Sequence, residues 1–421
     1  MMKLRLSSFD YKLLYNFYPL FCILCLLQAM GIIPPYYPGT GIASWPLRLV
    51  IIYLGIKGFL NNSRVNVLLT SFFLYTILTV FGYLFNGRPL SLYVIEFVAY
   101  ASPMLFAFIA LDKRDSSDKF YSILLTTLII CFVFGFYMHF MRPAWYQVAL
   151  TETYNDRWYV QSNYDYEQIA DSFRFSSIFL NSYAISHFSM FALPISVTFL
   201  LKNRGGKKWK YTVFAIISFI SAIICLHRVS MASCVLMLFI FVLYDFRHGK
   251  KLSSLAFWII VIVLLALFYL STTELLEQVV ERFGDMNMSD AMDDSRTDQN
   301  KSVLKEWDNI IFGEGIGAMS ADARKLGFPG ITDGQYVKIL VEQGIIGFGL
   351  YIALIIGTLF RGLKYFKYYS IEFCIILGIS IAMIGSDSLV MPFYILPFWY
   401  AVGKIWNKNY LRYLEETNNH I

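Results

Sequence analysis

Twelve apolar stretches follow one another along this chain of 421 residues, near 14–33, 43–60, 65–85, 90–111, 119–140, 178–201, 211–227, 229–244, 253–271, 344–360, 371–387 and 389–404. Each is long enough to cross about 30 Å of hydrocarbon at a helical rise of roughly 1.5 Å per residue. Lipid offers no partner to a backbone N–H or C=O, so such segments must be helices that satisfy those groups internally. The expected fold is therefore an all-α integral membrane protein of about twelve transmembrane helices, a single polytopic domain over residues 1–421. Composition points the same way. Hydrophobic residues make up 57%, charged residues 15%, and the mean hydropathy is +0.55, whereas soluble domains are about a quarter charged.

The cations fall in alternate connections. Lys3, Arg5 and Lys12 precede the first stretch; Lys113-Arg114, the five cations from Lys202 to Lys210, Arg247 to Lys251, and Arg361, Lys364 and Lys367 follow in turn; Lys404, Lys408 and Arg412 lie at the end. Basic loops stay in the cytoplasm, so this alternation predicts both termini inside. The basic segments are then orientation signals, and no nucleic-acid partner is expected. The net charge of +6 has meaning through that placement. Pro34-Pro35-Tyr36-Tyr37 follows the first stretch in place of a small-residue cleavage site, so that stretch reads as a retained span. All six cysteines lie in apolar runs, and Cys22-x-x-Cys25 reads as a packing pair.

Two polar segments interrupt the series. A smaller loop covers 141–177, and a larger one of 72 residues covers 272–343, between the ninth and tenth spans. Together they hold 19 of the 29 acidic residues, 14 of them in the larger loop. Alternation puts both on the outer face, where chemistry that needs water can take place. Within the larger loop, Glu274 to Phe283 and Ser302 to Ile311 have helical spacing, Gly313-x-Gly315-x-Gly317 reads as turn glycine, and a helix is expected to begin near Gly334 and run on into the next span.

The candidate site residues cluster at the outer ends. Arg228 stands in the tight connection Leu226-His227-Arg228-Val229-Ser230; it is either a permanent cation for a phosphate or diphosphate or an arginine snorkelling to the interface. Arg296, followed by Lys301 and Lys305, is a second cation or a solvated charge paired with Asp293 or Asp294. Arg174 is an interfacial anchor or a third phosphate-side cation. Asp333 can take a proton from a sugar hydroxyl or cap a helix, with Glu314 and Asp387 as further acids. Asp293-Asp294 lacks a visible third ligand for a metal. Neither outer loop contains histidine, and His227 is the imidazole nearest the outer surface.

In three places the chain resembles the O-antigen polymerase (Wzy) and O-antigen ligase superfamily. These are Phe173-Arg174-Phe175-Ser176-Ser177-Ile178-Phe179-Leu180-Asn181-Ser182, then His227-Arg228-Val229-Ser230, and then Ser295-Arg296 with Trp307, Gly313-x-Gly315-x-Gly317, Tyr336 and Leu340-Val341-Glu342-Gln343-Gly344. The resemblance implies an inner-membrane glycosyltransferase that uses an undecaprenyl-diphosphate-linked oligosaccharide on the periplasmic face. It implies that Arg228 and Arg296 hold the diphosphate. Beside that, Arg174 and Lys301 are read as assisting cations and Asp333 as the first choice of base, with Glu314 or Asp387 behind it. No cofactor and no metal are implied, membrane lipid is a partner, and there is room for a chain-length regulator protein. Ligases of the superfamily carry His-Asn where Asp333-Gly334 stands here, which favours the polymerase. The alternatives are the ligase itself and a flippase for the same lipid-linked sugars.

Overall fold

A computed structural model describes residues 6–34, 41–62, 65–85, 87, 89–111, 117–157, 175–202, 208–247, 309–320, 334–386, 389 and 393–407. These residues are helical, with turns and 3₁₀ segments and no strand among them. In chain order the helices are α1 (Ser8–Ala29), α2 (Trp45–Asn62), α3 (Val67–Leu78), α4 (Val80–Phe85), α5 (Leu90–Ala110), α6 (Ser117–Met141) and α7 (Ala144–Arg157). They continue as α8 (Ser182–Lys202), α9 (Lys208–Ile224), α10 (Arg228–Arg247), α11 (Gln335–Lys364), α12 (Phe366–Ala382) and α13 (Leu396–Trp406).

Among the described residues, eight segments are long and apolar enough to cross a membrane: Ser8–Ala29, Ile42–Asn62, Val67–Phe85, Tyr93–Ala110, Asp118–Met141, Ser182–Lys202, Arg228–Arg247 and Gln335–Lys364. The protein is thus an α-helical membrane protein. The stretches at 211–227 and 371–387 form helices of 17 residues each, about 26 Å long. The stretch at 389–404 does not form a helix from its start. Its 11-residue helix begins at Leu396 and carries Pro397 in its first turn, where the missing N–H costs no helical bond. The stretch at 253–271 lies outside the described residues.

The chain divides into two compact units, one from residues 8–50 and 116–284, the other from 1–7, 51–115 and 285–421. In the first, α8 is the core. It is buried from Ala184 to Leu200 and packs against α6, α9 and α10. A helix that is apolar all round has no solvent face to present. Aromatic rings fasten α1 to this core: Tyr18 meets Phe120 and Phe188 edge-on, and Phe21 stacks on Phe179. Lys202 lies 3.5 Å from Asp118, which brings the end of α8 beside the start of α6.

In the second unit α5 and α13 pack closely, and Gly403 lies against the backbone of Ala107. One end of the unit is closed by side chains that reach free carbonyls at helix C-termini. Asn62 donates to Phe108 O (3.2 Å), Asn407 to Ala110 O (3.1 Å) and Arg361 Nε to Ile405 O (2.8 Å). The ends of α2, α5, α11 and α13 therefore meet, four ends that the charge alternation assigns to one membrane face. At the opposite end, α3, α4 and α5 meet the start of α11 and the segment 309–320.

Candidate functional site

In each unit, polar groups gather at an irregularity of the helices. In the first it is the turn joining α9 to α10. Three residues, Cys225, Leu226 and His227, separate the two helices, and Leu226 takes φ 51°, a conformation that non-glycine residues rarely adopt. Arg228 opens α10 and is partly buried. It makes no hydrogen bond or ion pair among the described residues. A guanidinium cannot lose its charge, and a cation at a helix N-terminus is disfavoured by the helix dipole. The turn thus concentrates positive potential, as a site for a multiply charged anion requires.

Arg228 follows His227, whose ring and carbonyl are met by hydroxyls. His227 Nδ1 lies 3.3 Å from Ser186 Oγ and 3.3 Å from Ser230 Oγ, and both serines are fully buried. Ser230 also donates to the His227 carbonyl at 2.9 Å. Tyr183 meets the His227 ring edge-on at 4.9 Å, while its own carbonyl lies 2.6 Å from His187 Nδ1. The first turns of α8 are aimed at this spot by Asn181, whose side chain accepts the Tyr183 N–H at 3.0 Å. Just before it, Ser177 (φ 51°) and Leu180 (φ 47°) bend the chain sharply, and Ser177 is anchored to Cys131 O at 2.7 Å.

In the second unit the concentration surrounds a break in α11. Gly344 has φ 65° and ψ −176°, a combination open only to glycine. In an unbroken helix the N–H groups of Ile345 and Ile346 would reach Val341 and Glu342. Instead they donate to Ile310 O (3.0 Å) and Ile311 O (3.4 Å). The carbonyls so released are taken by a strap, residues 309–320. Glu314 N–H donates to Val341 O and Gly315 N–H to Glu342 O, both at 2.9 Å, and the Tyr75 hydroxyl donates to Gln343 O at 3.0 Å. The strap fits because it is glycine-rich: a Cβ on Gly313 would strike the backbone of Gln343 and Glu342, and one on Gly82 would come within 2.6 Å of Gly313 O.

Charged groups are buried around this break: Glu314, Lys338 and Glu342, beside Gln335 and Gln343. Glu342 Oε1 accepts the N–H groups of Gly317 and Met319, each at 3.1 Å. Gln343 Nε2 donates to the Tyr100 hydroxyl at 3.0 Å, and Tyr336 donates to Ser380 O at 2.7 Å. Among the described residues no three His, Cys, Asp or Glu side chains come together as metal ligands would.

Of the residues singled out from sequence, Arg228 is placed in the turn just described. Arg174, Arg296, Lys301 and Asp333 lie outside the described residues, as do Asp293, Asp294 and Asp387. Glu314 is buried on the strap. The turn glycines at 313, 315 and 317 all have positive φ (78°, 91° and 86°). Sequence reasoning did not single out Tyr183, Ser186 or Ser230 as partners of His227. Its available signal was the spacing of Tyr183 and Ser186, three apart on one helix face. It also missed Gln335, Lys338 and Glu342, polar at intervals of three and four in a membrane helix. No protein-family model matches the chain, and no curated protein matches it.

Proposed function

We propose that this chain is a glycosyltransferase that joins lipid-diphosphate-linked oligosaccharide repeats at the outer face of a bacterial inner membrane, a polymerase of the Wzy type. The observation that carries the reading is Arg228: a permanent, partly buried cation with no protein partner among the described residues, at a helix N-terminus lined by hydroxyls. An arginine in that place is retained at a cost unless something anionic meets it. A lipid diphosphate at the membrane surface has the required charge, depth and bidentate geometry. The topology proposed with it has twelve spans, both termini cytoplasmic, and the segments 141–177 and 272–343 periplasmic.

The chemistry needs no nucleotide and no redox partner. The acceptor's sugar hydroxyl attacks the anomeric carbon of the donor, the bond from that carbon to the diphosphate oxygen breaks, and the electron pair leaves with the diphosphate. Arg228 stabilises that charge as it grows, with Arg296, Arg174 and Lys301 as the further cations. The hydroxyl proton passes to a carboxylate; Asp333 is the first candidate and Glu314 the second. The reading over the ligase rests on Asp333-Gly334 standing where the ligases carry His-Asn.

Lipopolysaccharide gels from a deletion strain test this. Loss of a polymerase leaves core plus one repeat, whereas loss of a ligase leaves core with none, and the second pattern would replace the polymerase by the ligase. Purified protein that lengthens lipid-linked repeats in detergent, with no bilayer to cross, would exclude a flippase.

A further inference from the structure

We infer that His227 is a positioning residue for Arg228, fixing the turn so that the guanidinium meets a prenyl diphosphate in one place; this rests on the diphosphate reading of Arg228 given above. A long arginine side chain has many rotamers, so its usefulness depends on how firmly its backbone is held. The turn that carries it is short and bends through Leu226 at positive φ. Such a conformation persists only where surrounding contacts over-determine it.

His227 supplies those contacts. Its Nδ1 is the common partner of two hydroxyls from different helices, Ser186 of α8 and Ser230 of α10, at 3.3 Å each. Either contact alone is long for a hydrogen bond. Because the Ser230 proton goes to the His227 carbonyl, they form one Nδ1–H shared between two hydroxyl oxygens. That shared bond sets the ring's direction, and Tyr183 closes on it edge-on. Ser230 also holds the residue's own carbonyl, so ring and backbone are tied at the same point. Arg228 is the next residue. A small movement at His227 therefore becomes a displacement of the guanidinium, and a bidentate pair tolerates little of that.

The two nitrogens of the ring can be tested separately. An asparagine side chain reaches from the backbone about as far as Nδ1 and keeps a polar atom for the two serines. A glutamine reaches about as far as Nε2 and does not. A role through the clamp predicts rescue by the first; a role through Nε2 predicts rescue by the second.

The test is a titration of the purified full chain in detergent with farnesyl diphosphate, followed by tryptophan and tyrosine fluorescence. His227→Ala and the double change Ser186→Ala/Ser230→Ala should each weaken binding roughly tenfold, as loss of one or two hydrogen bonds allows. His227→Asn should stay within about threefold of the unaltered protein, and His227→Gln should resemble His227→Ala. Should His227→Ala fail to fold, the Asn and Gln variants and the serine pair decide. Unchanged binding by His227→Ala, or rescue by Gln and not Asn, overturns the inference. The gel ladder separates the two layers. An unaltered protein that makes a ladder while His227→Ala binds normally sinks the positioning role alone. One that makes no ladder while binding follows the clamp sinks the polymerase reading alone.

Discussion

The turn at 225–230 and the break at Gly344 are both departures from regular helix in a membrane chain, and they are resolved in opposite ways. At the break, backbone answers backbone. Two N–H groups and three carbonyls displaced by Gly344 are matched by the strap or by Tyr75, and the Glu342 carboxylate is occupied by two amides. The displaced backbone is answered by backbone and Tyr75, as irregular backbone in a membrane chain requires, while Gln343 Oε1 stays buried without a hydrogen-bond partner among the described residues. At the turn, side chains hold the geometry while the guanidinium of Arg228 is given no partner among the described residues. A break answered by its own backbone is architecture; a turn that holds a fixed charge with no partner among the described residues is where the proposed diphosphate would bind.

Substitutions can break this contrast, and the largest effect is expected at the break. Gly344→Val forces a β-branched residue into a glycine-only conformation against the strap. It should remove folded protein, seen as loss of the monodisperse peak in size-exclusion chromatography. Next is Arg228→Ala, which should leave that peak intact and lower polymerisation about a thousandfold; Arg228→Lys, keeping charge but losing the fork, should lower it ten- to a hundredfold. A folded, inactive Arg228→Ala beside an unfolded Gly344→Val is the signature of the contrast. Glu342→Gln keeps shape but weakens two charge-assisted bonds and should lower stability by about 1–3 kcal/mol in thermal unfolding. Tyr75→Phe removes one donor to Gln343 O, for about 1 kcal/mol. The smallest effect belongs to the half-exposed pair Lys202–Asp118, where Asp118→Asn should change stability by less than about 0.5 kcal/mol.

Much of the architecture was legible because the apolar runs are long and the backbone has no alternative in lipid. Eleven of the twelve stretches contain a described helix, the start of α11 after Gly334 was foreseen, and Gly313, Gly315 and Gly317 are turn residues as read. Less legible was what those glycines turn against. The strap pairs residues 310–315 with 341–346, a contact between segments some thirty positions apart, and no local pattern records it. Hydropathy alone conceals the late start of α13, whose first turn holds Pro397. At the turn, the His-Arg neighbourhood announced Arg228. Ser186 and Ser230 could be recognised as the clamp on His227 only once α8 was seen to run against α10. The readings of Glu274 to Phe283, and of Ser302 to Ile311 up to residue 308, lie outside the described residues.

The central claim is that Arg228 meets a lipid diphosphate during glycosyl transfer. The most direct measurement supplies purified protein in detergent with undecaprenyl-diphosphate-linked repeats and resolves the products by length. The account predicts a ladder from the unaltered chain and single repeats from a folded Arg228→Ala protein. A ladder of equal length and rate from Arg228→Ala would contradict it.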